Sequence, residues 1–448
     1  MNTSLLAKYN IPAPRYTSYP TVPYWQSTAP SQAAWKSQVV QAFQENNEIS
    51  LYIHLPYCEQ LCTYCGCNKR ITKNHQVEEP YIDAVLAEWA MYKALLPGKP
   101  ILKEVHLGGG TPTFFSPKAL ERLLSTIYKD VAIAEDCEMG FEAHPGTTER
   151  EHLATLAKLG FKRLSIGIQD FAPEILLLIN RSQTYEQVAE VTSWARTLGY
   201  TSINYDLIFG LPRQTKAHIL DNMTKLAELR PERLAFYSYA HVPWIKPSQR
   251  AYSEADLPKG AEKRALYDLG RTLLEEIGYQ EIGMDHFALP HDGLSKALRS
   301  GSLHRNFMGY TPFDTTLNLA LGASSISDSW TAFVQNEKKI EDYQDKVAQG
   351  VFPILKGHLL SYEDQVLRKH ILNIMCLYQT EWPYEEQSLL EPALARLEEL
   401  EKDGLIRIDS DRVEVTPLGQ PFIRNICLAF DAHYWAKKPE GQLFSQVV

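Results

Sequence analysis

The sequence predicts an α/β protein built around a parallel sheet. Short runs rich in β-branched and aromatic residues recur along the first 240 positions, and amphipathic helical stretches lie between them. Parallel strands need a crossover segment, usually a helix, so this alternation is typical of a parallel sheet. Of the 448 residues, 44% are hydrophobic and 22% are charged, which excludes a disordered or fibrous chain.

The predicted elements alternate regularly along the chain. Six strands are predicted, at residues 49–55, 104–107, 139–143, 163–168, 203–209 and 234–240. Five helices are predicted between them, at residues 81–95, 117–129, 149–159, 185–198 and 216–229. Pro80 and Pro117 suit the first turn of a helix, and Gly160 and Gly199 suit the position just after one, so they mark helix starts and ends.

Four of these strands end in, or carry, residues that do not suit a buried strand. They are Gly108-Gly109-Gly110-Thr111, Glu142 with His144, Gln169-Asp170, and Asp206. Successive positions are about 30 residues apart, which is close to the length of one βαβ unit. Active sites lie at the carboxyl ends of parallel strands, so we expect these residues to gather on one face around a polar ligand.

The two ends of the chain differ from this pattern. Residues 361–378 and 389–402 are predicted as helices, and 405–408 with 412–415 as a hairpin, an order that resembles a winged-helix fold. This part is acidic, which argues against a DNA-reading wing and favours a structural or substrate-covering role. Residues 14–21 form an aromatic, proline-rich arm, which either packs on the sheet domain or acts as a lid with Arg15 available for a carboxylate.

Charge and hydropathy exclude several functions. The net charge of −9 argues against a general nucleic-acid binder. The chain opens without a secretory signal, and its longest charge-free stretch, residues 16–35, is broken by three prolines. We therefore expect a cytoplasmic protein with no membrane and no nucleic-acid partner.

Four of the seven cysteines lie within ten residues, at Cys58, Cys62, Cys65 and Cys67. Thiolates at this density indicate a soft metal. Structural zinc sites usually draw two ligand pairs from separate segments, and the sequence has no second pair. A three-cysteine loop can instead hold three irons of a cubane cluster and leave the fourth iron open to a ligand, as a catalytic zinc does.

The C-x3-C-x2-C loop directly after the first strand resembles that of the radical S-adenosylmethionine (SAM) enzymes, and Gly108–Thr113 resembles their glycine motif. Further segments narrow the resemblance to the oxygen-independent coproporphyrinogen III oxidases. They are Tyr52-x-His54-x-Pro56-x-Cys58, the extra Cys67, Arg15–Thr21, Gly167–Phe171, Asn180-Arg181, Asp206–Pro212, Gly283–Ala288, His304–Phe307 and Arg424–Cys427.

The resemblance implies a partial (β/α)6 TIM-like barrel with an N-terminal arm and a helical, winged-helix-like C-terminal domain. We place the arm or lid at residues 1–40, the radical SAM barrel at 41–355 and the C-terminal domain at 356–448. The implied cofactors are one 4Fe–4S cluster, bound by Cys58, Cys62 and Cys65, and two SAM molecules.

The family pattern also assigns the remaining site residues. The SAM on the cluster would be held by Tyr52, Gly109, Glu142 and Ile326. The second SAM would be held by Tyr64, Gly110, Thr111, Gln169, Arg181, Asp206 and Ala240. Asp206 suits a ribose diol and Arg181 suits a carboxylate. Cys67 and Tyr52 are the implied catalytic residues, with Cys67 near the second SAM and not on iron.

The implied reaction is the oxidative decarboxylation of two propionates of coproporphyrinogen III to vinyl groups. The resemblance further implies a monomer and a low-potential electron donor such as flavodoxin or ferredoxin. The chain departs from the family pattern at His144, where aspartate is expected, and at Met308, where glutamine is expected. Two relatives of the same superfamily remain as alternatives, a haem chaperone and a radical SAM methyltransferase acting on haem.

Overall fold

The computed structural model describes residues 3–244 and 246–439. Its strands are β1 (Glu48–Leu55), β2 (Tyr57–Cys58), β3 (Arg70–Ile71), β4 (Ile101–Gly109), β5 (Ala132–Ala143), β6 (Arg163–Gln169), β7 (Ser202–Phe209), β8 (Arg233–Ser238), β9 (Gln280–Gly283), β10 (His286–Ala288), β11 (His304–Asn306), β12 (Gly309–Thr311), β13 (Leu317–Leu321), β14 (Ile326–Asp328), β15 (Ala332–Asn336), β16 (Ile354–Leu359), β17 (Gln379–Glu381), β18 (Ile406–Ile408) and β19 (Arg412–Val415).

Its α-helices are α1 (Thr3–Tyr9), α2 (Gln32–Glu45), α3 (Glu78–Leu95), α4 (Pro117–Tyr128), α5 (Arg150–Lys158), α6 (Pro173–Leu178), α7 (Tyr185–Thr197), α8 (Lys216–Leu229), α9 (Gly260–Glu276), α10 (Gly293–Ser300), α11 (Ile340–Ala348), α12 (Tyr362–Leu377), α13 (Gln387–Lys402), α14 (Ile423–Ala429) and α15 (Ala432–Ala436). Within the described ranges, no helix combines the length and the hydropathy that a membrane crossing requires.

A twelve-stranded sheet runs through the centre of the protein, in the order β16-β15-β14-β13-β1-β4-β5-β6-β7-β8-β10-β9. The strands from β13 through β1 to β8 pair in parallel. Antiparallel strands extend both edges, namely β14 to β16 on one side and β10 with β9 on the other. The prediction of an α/β fold with a partial barrel is confirmed.

The structure contains all six predicted strands and all five predicted helices between them. The last predicted strand is two residues too long, because β8 ends at Ser238 and Ala240 lies in the loop that follows. There the side chain of Gln249 binds the Ala240 carbonyl and the Val242 amide, so these backbone groups do not pair with a neighbouring strand. The antiparallel edge strands were missed, because runs of three to six residues carry little periodicity.

The main core packs the helices against the parallel sheet. Its largest fully buried side chains include Trp35, Trp89, Phe141, Phe161 and Phe236. A second core joins α12, α13 and α14 to the three-stranded sheet β17-β19-β18. The predicted C-terminal helices and hairpin are therefore present, and β17 adds a strand to that hairpin.

The N-terminal arm packs against the C-terminal helices. The Tyr16 hydroxyl donates to Asp431 at 3.0 Å, and Arg424 Nε donates to the Pro14 carbonyl at 3.0 Å. The Tyr19 hydroxyl accepts from the Ala432 amide at 3.1 Å. The arm is thus a packed segment, held by the C-terminal helices and, through Arg15, by Asp285 in the turn between β9 and β10 of the large sheet. The three-part division of the chain stays a prediction, and residues 1–2 and 440–448 of it lie outside the described ranges.

One buried carboxylate connects the edge of the large sheet to the C-terminal helices. Asp364, near the start of α12, accepts from His433 Nε2 at 2.6 Å and contacts His358 Nε2 at 3.3 Å. It also accepts from the backbone and side chain of Ser361 at 2.9 Å. The hydrogen bond with Asp364 raises the pKa of His433. Burial works against ionisation of Asp364, but its histidine partners hold the pKa of that carboxyl below its usual range.

We expect His433→Gln to lower the free energy of unfolding by about 1 kcal/mol near pH 6, and by less near pH 9. A histidine whose pKa is higher in the folded state stabilises the fold fully below its unfolded value of about 6.5. That contribution is lost as the pH rises through the raised folded value. Chemical denaturation of both proteins at the two pH values measures the difference.

The matched control is His291→Gln, which removes an exposed histidine and should leave stability unchanged at both pH values. A loss of equal size at both pH values for His433→Gln would contradict a charged contact with Asp364.

Candidate active site

A cavity of about 750 Å³ opens at the carboxyl ends of the parallel strands. Gly109, Glu142, Gln169 and Asp206, the four predicted strand-end positions, all line it. The cysteine loop between β1 and α3 forms the opposite wall. Its cavity-lining residues include Cys58, Cys62, Tyr64, Cys65, Cys67 and Lys69. The pattern of one polar residue per βα unit therefore corresponds to a single site.

The thiols of the loop are held close to the glycine motif. Cys58 lies in the short strand β2, and its Sγ is 3.3 Å from the Thr111 hydroxyl. The Cys65 amide donates to the Cys62 carbonyl at 3.2 Å, which turns the loop between these two cysteines. Cys67 is exposed, whereas Cys62 is buried and Cys58 and Cys65 are half-buried.

The chemistry of these thiols suits iron. Metals bind the thiolate, so a low thiol pKa favours binding. The hydrogen bond from Cys67, with the charge of Lys69, lowers the pKa of Cys65 to about 5 although burial opposes it. Burial raises the pKa of Cys58 to about 11, so this thiol would release a proton when a metal binds. Cys58, Cys62 and Cys65, three of the four thiols that line the cavity, fit a cluster with one open iron.

Two glycines let the β4 turn approach the cysteine loop. A Cβ at Gly110 would lie 2.6 Å from the backbone of Pro56, and one at Gly109 would lie 2.6 Å from the His54 ring. Gly109 also has a φ of 114°, a conformation that favours glycine. The turn therefore packs directly on the segment that leads into the cysteine loop, where the Gly110 amide donates to the Leu55 carbonyl and the Thr111 amide to the Tyr57 carbonyl, both at 2.9 Å.

Glu142 is the carboxylate nearest to this turn. Its Oε2 accepts from the Gly109 amide at 3.1 Å, and its Oε1 is 3.6 Å from His106 Nε2. Burial alone would raise the pKa of Glu142, but the contacts with His106 and Gly109 lower it below the usual value. Glu142 is therefore an ionised acceptor, which suits an ammonium group of a ligand.

Arg181 lies on the wall beside the thiols and pairs with no carboxylate of the described residues. It donates to Cys62 Sγ at 3.5 Å, to the Tyr64 hydroxyl at 3.4 Å and to Gln183 at 2.7 Å, and it also binds the Gly167 carbonyl. Only 8% of Arg181 is exposed. A buried guanidinium among neutral groups suits a carboxylate ligand.

Asp206 projects from β7 among neutral donors. Its carboxylate accepts from Asn204 at 2.9 Å and from Ser165 at 3.2 Å. Burial, with the charge of Glu142, raises the pKa of Asp206 to about 6. It stays mainly ionised at neutral pH and can accept further hydroxyl hydrogen bonds.

Three predicted site residues are not among those that line the cavity. Tyr52 lies behind it, with its hydroxyl 3.1 Å from His54 Nδ1 and its ring stacked on His106. Ala240 lies in the loop after β8, and Ile326 begins β14 beside a small apolar cluster. The structure therefore brings together the cysteines, Tyr64, Gly109, Gly110, Thr111, Glu142, Gln169, Arg181 and Asp206.

Three other polar residues singled out in the sequence have local partners. Asp170 binds the side chains of Gln214 and Asn222 and is fully buried, so it supports the fold. His144 lines the cavity, but its Nδ1 accepts from the Gly146 amide, and burial lowers its pKa to about 3. Arg15 is paired with Asp285, so the expectation that it is free for a carboxylate is wrong.

Sequence reasoning missed several residues of the wall. Lys69 donates to the Cys65 carbonyl at 3.3 Å, Ser165 and Asn204 orient Asp206, and Tyr237 lines the far side. Ser165 and Asn204 could have been found, because they share a face with the strand-end groups at two-residue spacing. Lys69 and Tyr237 carry no pattern that distinguishes them from ordinary surface or strand residues.

Comparisons with known proteins identify the family. Residues 52–226 match the radical SAM superfamily. The chain is 38% identical to the oxygen-independent coproporphyrinogen III oxidase of Escherichia coli, over 99% of this chain and 98% of the relative. It is 36% identical to the enzyme of that name from Synechocystis, over 100% of this chain and 98% of the relative.

A solved structure gives the same result. The coproporphyrinogen III oxidase from Escherichia coli, described as a radical SAM enzyme, superposes with a TM-score of 0.90 at 35% identity. The match covers 96% of this chain and 99% of that chain. This chain therefore belongs to the radical SAM superfamily and, within it, to the oxygen-independent coproporphyrinogen III oxidase family.

Proposed function

We propose that this protein converts two propionate side chains of coproporphyrinogen III to vinyl groups and so forms protoporphyrinogen IX without oxygen. The observation that carries the proposal is the cavity itself, which has four cysteine thiols on one wall and Glu142, Arg181 and Asp206 around it. Full-length similarity to oxidases of that name supports the choice of substrate. Each conversion removes a hydrogen atom, an electron and CO2 from one propionate.

Cys58, Cys62 and Cys65 would hold a 4Fe–4S cluster, and the cavity would hold two SAM molecules. When bound, these groups would supply one-electron radical chemistry, which removes a hydrogen atom from the propionate β-carbon. The side chains of the cavity supply no general acid or base for this step. These side chains bind and orient the cofactors and the substrate, and they exclude water, because the radical must react only with the substrate.

The resemblance to the family assigns the predicted site residues to two sets. We propose that Tyr52, Gly109, Glu142 and Ile326 hold the SAM on the cluster. We propose that Tyr64, Gly110, Thr111, Gln169, Arg181, Asp206 and Ala240 hold the second SAM. The ionised Glu142 beside a backbone amide supports an ammonium site. Arg181, which pairs with no carboxylate in the described ranges, supports a carboxylate site.

Cys67 is proposed as a catalytic residue that does not bind iron. One residue separates it from Cys65, and two thiolates so close in sequence reach separate irons only through a strained loop. A fourth thiolate would also block the open iron. We further propose a monomer in the cytoplasm that takes electrons from a low-potential donor such as flavodoxin or ferredoxin.

The cluster-loaded protein, given SAM and a low-potential reductant under strict anaerobiosis, should convert coproporphyrinogen III to protoporphyrinogen IX. Two molecules of CO2 should be released per substrate, because two propionates are lost. Chromatography of the oxidised porphyrins and trapping of CO2 measure both quantities. A methylated tetrapyrrole would indicate the methyltransferase alternative, and tight haem binding without turnover would indicate the chaperone.

Cysteine substitutions should separate iron ligands from Cys67. Cys58→Ala, Cys62→Ala and Cys65→Ala should each lose the cluster, because each removes a thiolate ligand. Cys67→Ala should keep near-normal iron and bind SAM, yet form little or no product. Iron and sulfide analysis beside the turnover assay measures the difference.

Cys137→Ala is the matched control, since Cys137 lies in β5 away from the loop and should be dispensable for iron and turnover. An iron-free Cys67→Ala protein would mean that all four thiols hold metal. Full activity of that variant would remove Cys67 from the mechanism.

Asp206→Asn should weaken SAM binding about tenfold or more, because a charged acceptor of hydroxyl hydrogen bonds is lost. Its iron content should not change, since no thiol is touched. Anaerobic equilibrium dialysis with SAM and iron analysis measure the two effects. Asp221→Asn, which removes an exposed carboxylate paired with Lys225, is the control. Unchanged SAM affinity in Asp206→Asn would leave Asp206 as a strand-end residue held by Ser165 and Asn204.

A further inference from the structure

A layer of aromatic and basic side chains lies beyond the far wall of the cavity. Tyr237 lines the cavity, and its hydroxyl is 3.2 Å from His286 Nε2. The His286 ring meets the edge of Tyr310, with centroids 5.2 Å apart. The guanidinium of Arg305 lies over the Tyr310 ring at 4.5 Å from its centroid. This series of contacts connects Arg305 to the wall that faces the thiols.

The charge of Arg305 also acts on Tyr237, His286 and Tyr310. Burial is the main cause that lowers the pKa of His286 to about 4, and Arg305 is the next. His286 is therefore neutral at physiological pH and cannot repel a second cation or attract an anion by itself. Lys263, also near, donates to the Tyr239 carbonyl at 2.7 Å. The guanidinium charges that act on His286 are those of Arg305 and Arg15.

Arg15 is already neutralised. It pairs with Asp285, which lies in the turn between β9 and β10. Met284 and Asp285 have φ angles of 34° and 71°, an unfavourable conformation for two successive residues other than glycine. The strained turn carries Asp285 to Arg15, so the protein itself supplies the anion for this cation.

Arg305 differs from the other buried arginines. Arg233 binds Glu138 and Asp292, and Arg368 binds Asp328. Arg181 and Arg424 donate to carbonyls and side chains. Arg305 is only 6% exposed, yet its Nε and Nη1 atoms have no hydrogen-bond partner, and it forms no ion pair with any residue in the described ranges.

Such an arginine lowers the stability of the protein when no ligand is bound to it. Burying a charge without a partner costs several kcal/mol, and even a neutral buried donor without an acceptor costs about 1–3 kcal/mol. The π face of Tyr310 offsets only part of this cost. A guanidinium with unpaired donors, connected through Tyr310 and His286 to the Tyr237 side of the cavity, matches a carboxylate ligand.

We propose that Arg305 binds a propionate carboxylate of the substrate. This inference rests on the proposed function, in which the ligand is a porphyrinogen with four propionates. It also specifies which propionate is bound. An ion pair stabilises the carboxylate and opposes its conversion to neutral CO2, so the group on Arg305 is one other than the propionate that is reacting. Arg305 is thus an anchor that orients the ring, leaving another propionate at the reacting position.

The test measures binding without turnover. The protein, loaded with cluster and SAM but given no reductant, is dialysed anaerobically against coproporphyrinogen III. Arg305→Met should bind the substrate about ten- to a hundredfold more weakly, as expected for the loss of a charge-assisted pair. Arg305→Lys should lie between Arg305→Met and the natural protein, because it keeps the charge but not the fork. Iron content and SAM affinity should not change in either variant.

The substrate-free melting temperature distinguishes an anchor from a structural residue. Arg305→Met should melt at the same or a higher temperature, because it removes a charge that has no partner. Arg368→Met is the matched control, since Arg368 also lies over aromatic rings, at 4.2 Å from Trp330, but is paired with Asp328. That substitution leaves a buried carboxylate alone and should lower the melting temperature.

The results separate the two proposals. Unchanged affinity of Arg305→Met for coproporphyrinogen III would overturn the anchor and leave the proposed function standing. A lower melting temperature accompanied by a loss of SAM affinity would also overturn it, because Arg305 would then be a structural residue. If the natural protein neither binds nor converts coproporphyrinogen III, both proposals fail together.

Discussion

A parallel sheet brings the carboxyl ends of all its strands to one edge, and the cavity depends on this alignment. Glu142, Gln169 and Asp206 come from the adjacent strands β5, β6 and β7, and Gly109 comes from β4. Side chains alternate between the two faces of a strand, so a shift of one residue in register would turn these groups to the opposite side. The thiols then meet them because the cysteine loop follows β1, the next strand in the sheet.

The second constraint is that several buried charged side chains lack a partner of opposite charge among the described residues. Among the described residues, Arg181 donates only to neutral groups and Asp206 accepts only from neutral donors. The Nε and Nη1 atoms of Arg305 have no hydrogen-bond partner there. Each arrangement costs free energy in the ligand-free protein, because a buried charge is poorly solvated. A ligand of opposite charge removes that cost when it binds. The same groups are fixed before binding, by strands, by Tyr310 and by Gln183, so little order has to be gained.

Much of this could be predicted from the sequence. Strand and helix positions follow from periodicity, and the cysteine loop follows from spacing, since both signals are local. The gathering of the strand-end residues also follows, because topology alone places them. The isolation of Arg305 could not be predicted, since it depends on where every carboxylate lies in three dimensions. For the same reason, the pairing of Arg15 with Asp285, 270 positions away, has no signature in the sequence.

The packing of the arm has a consequence for biosynthesis. The Arg424 hydrogen bond to the Pro14 carbonyl joins residues 410 positions apart, and the Tyr19 contact with Ala432 spans 413. A ribosome makes the chain from its N-terminus, so the arm emerges long before the residues that bind it. The parallel strands can already pair while the arm is still without its binding surface. The arm is therefore synthesised early but packs late. A chain that stalls before residue 424 leaves the arm exposed.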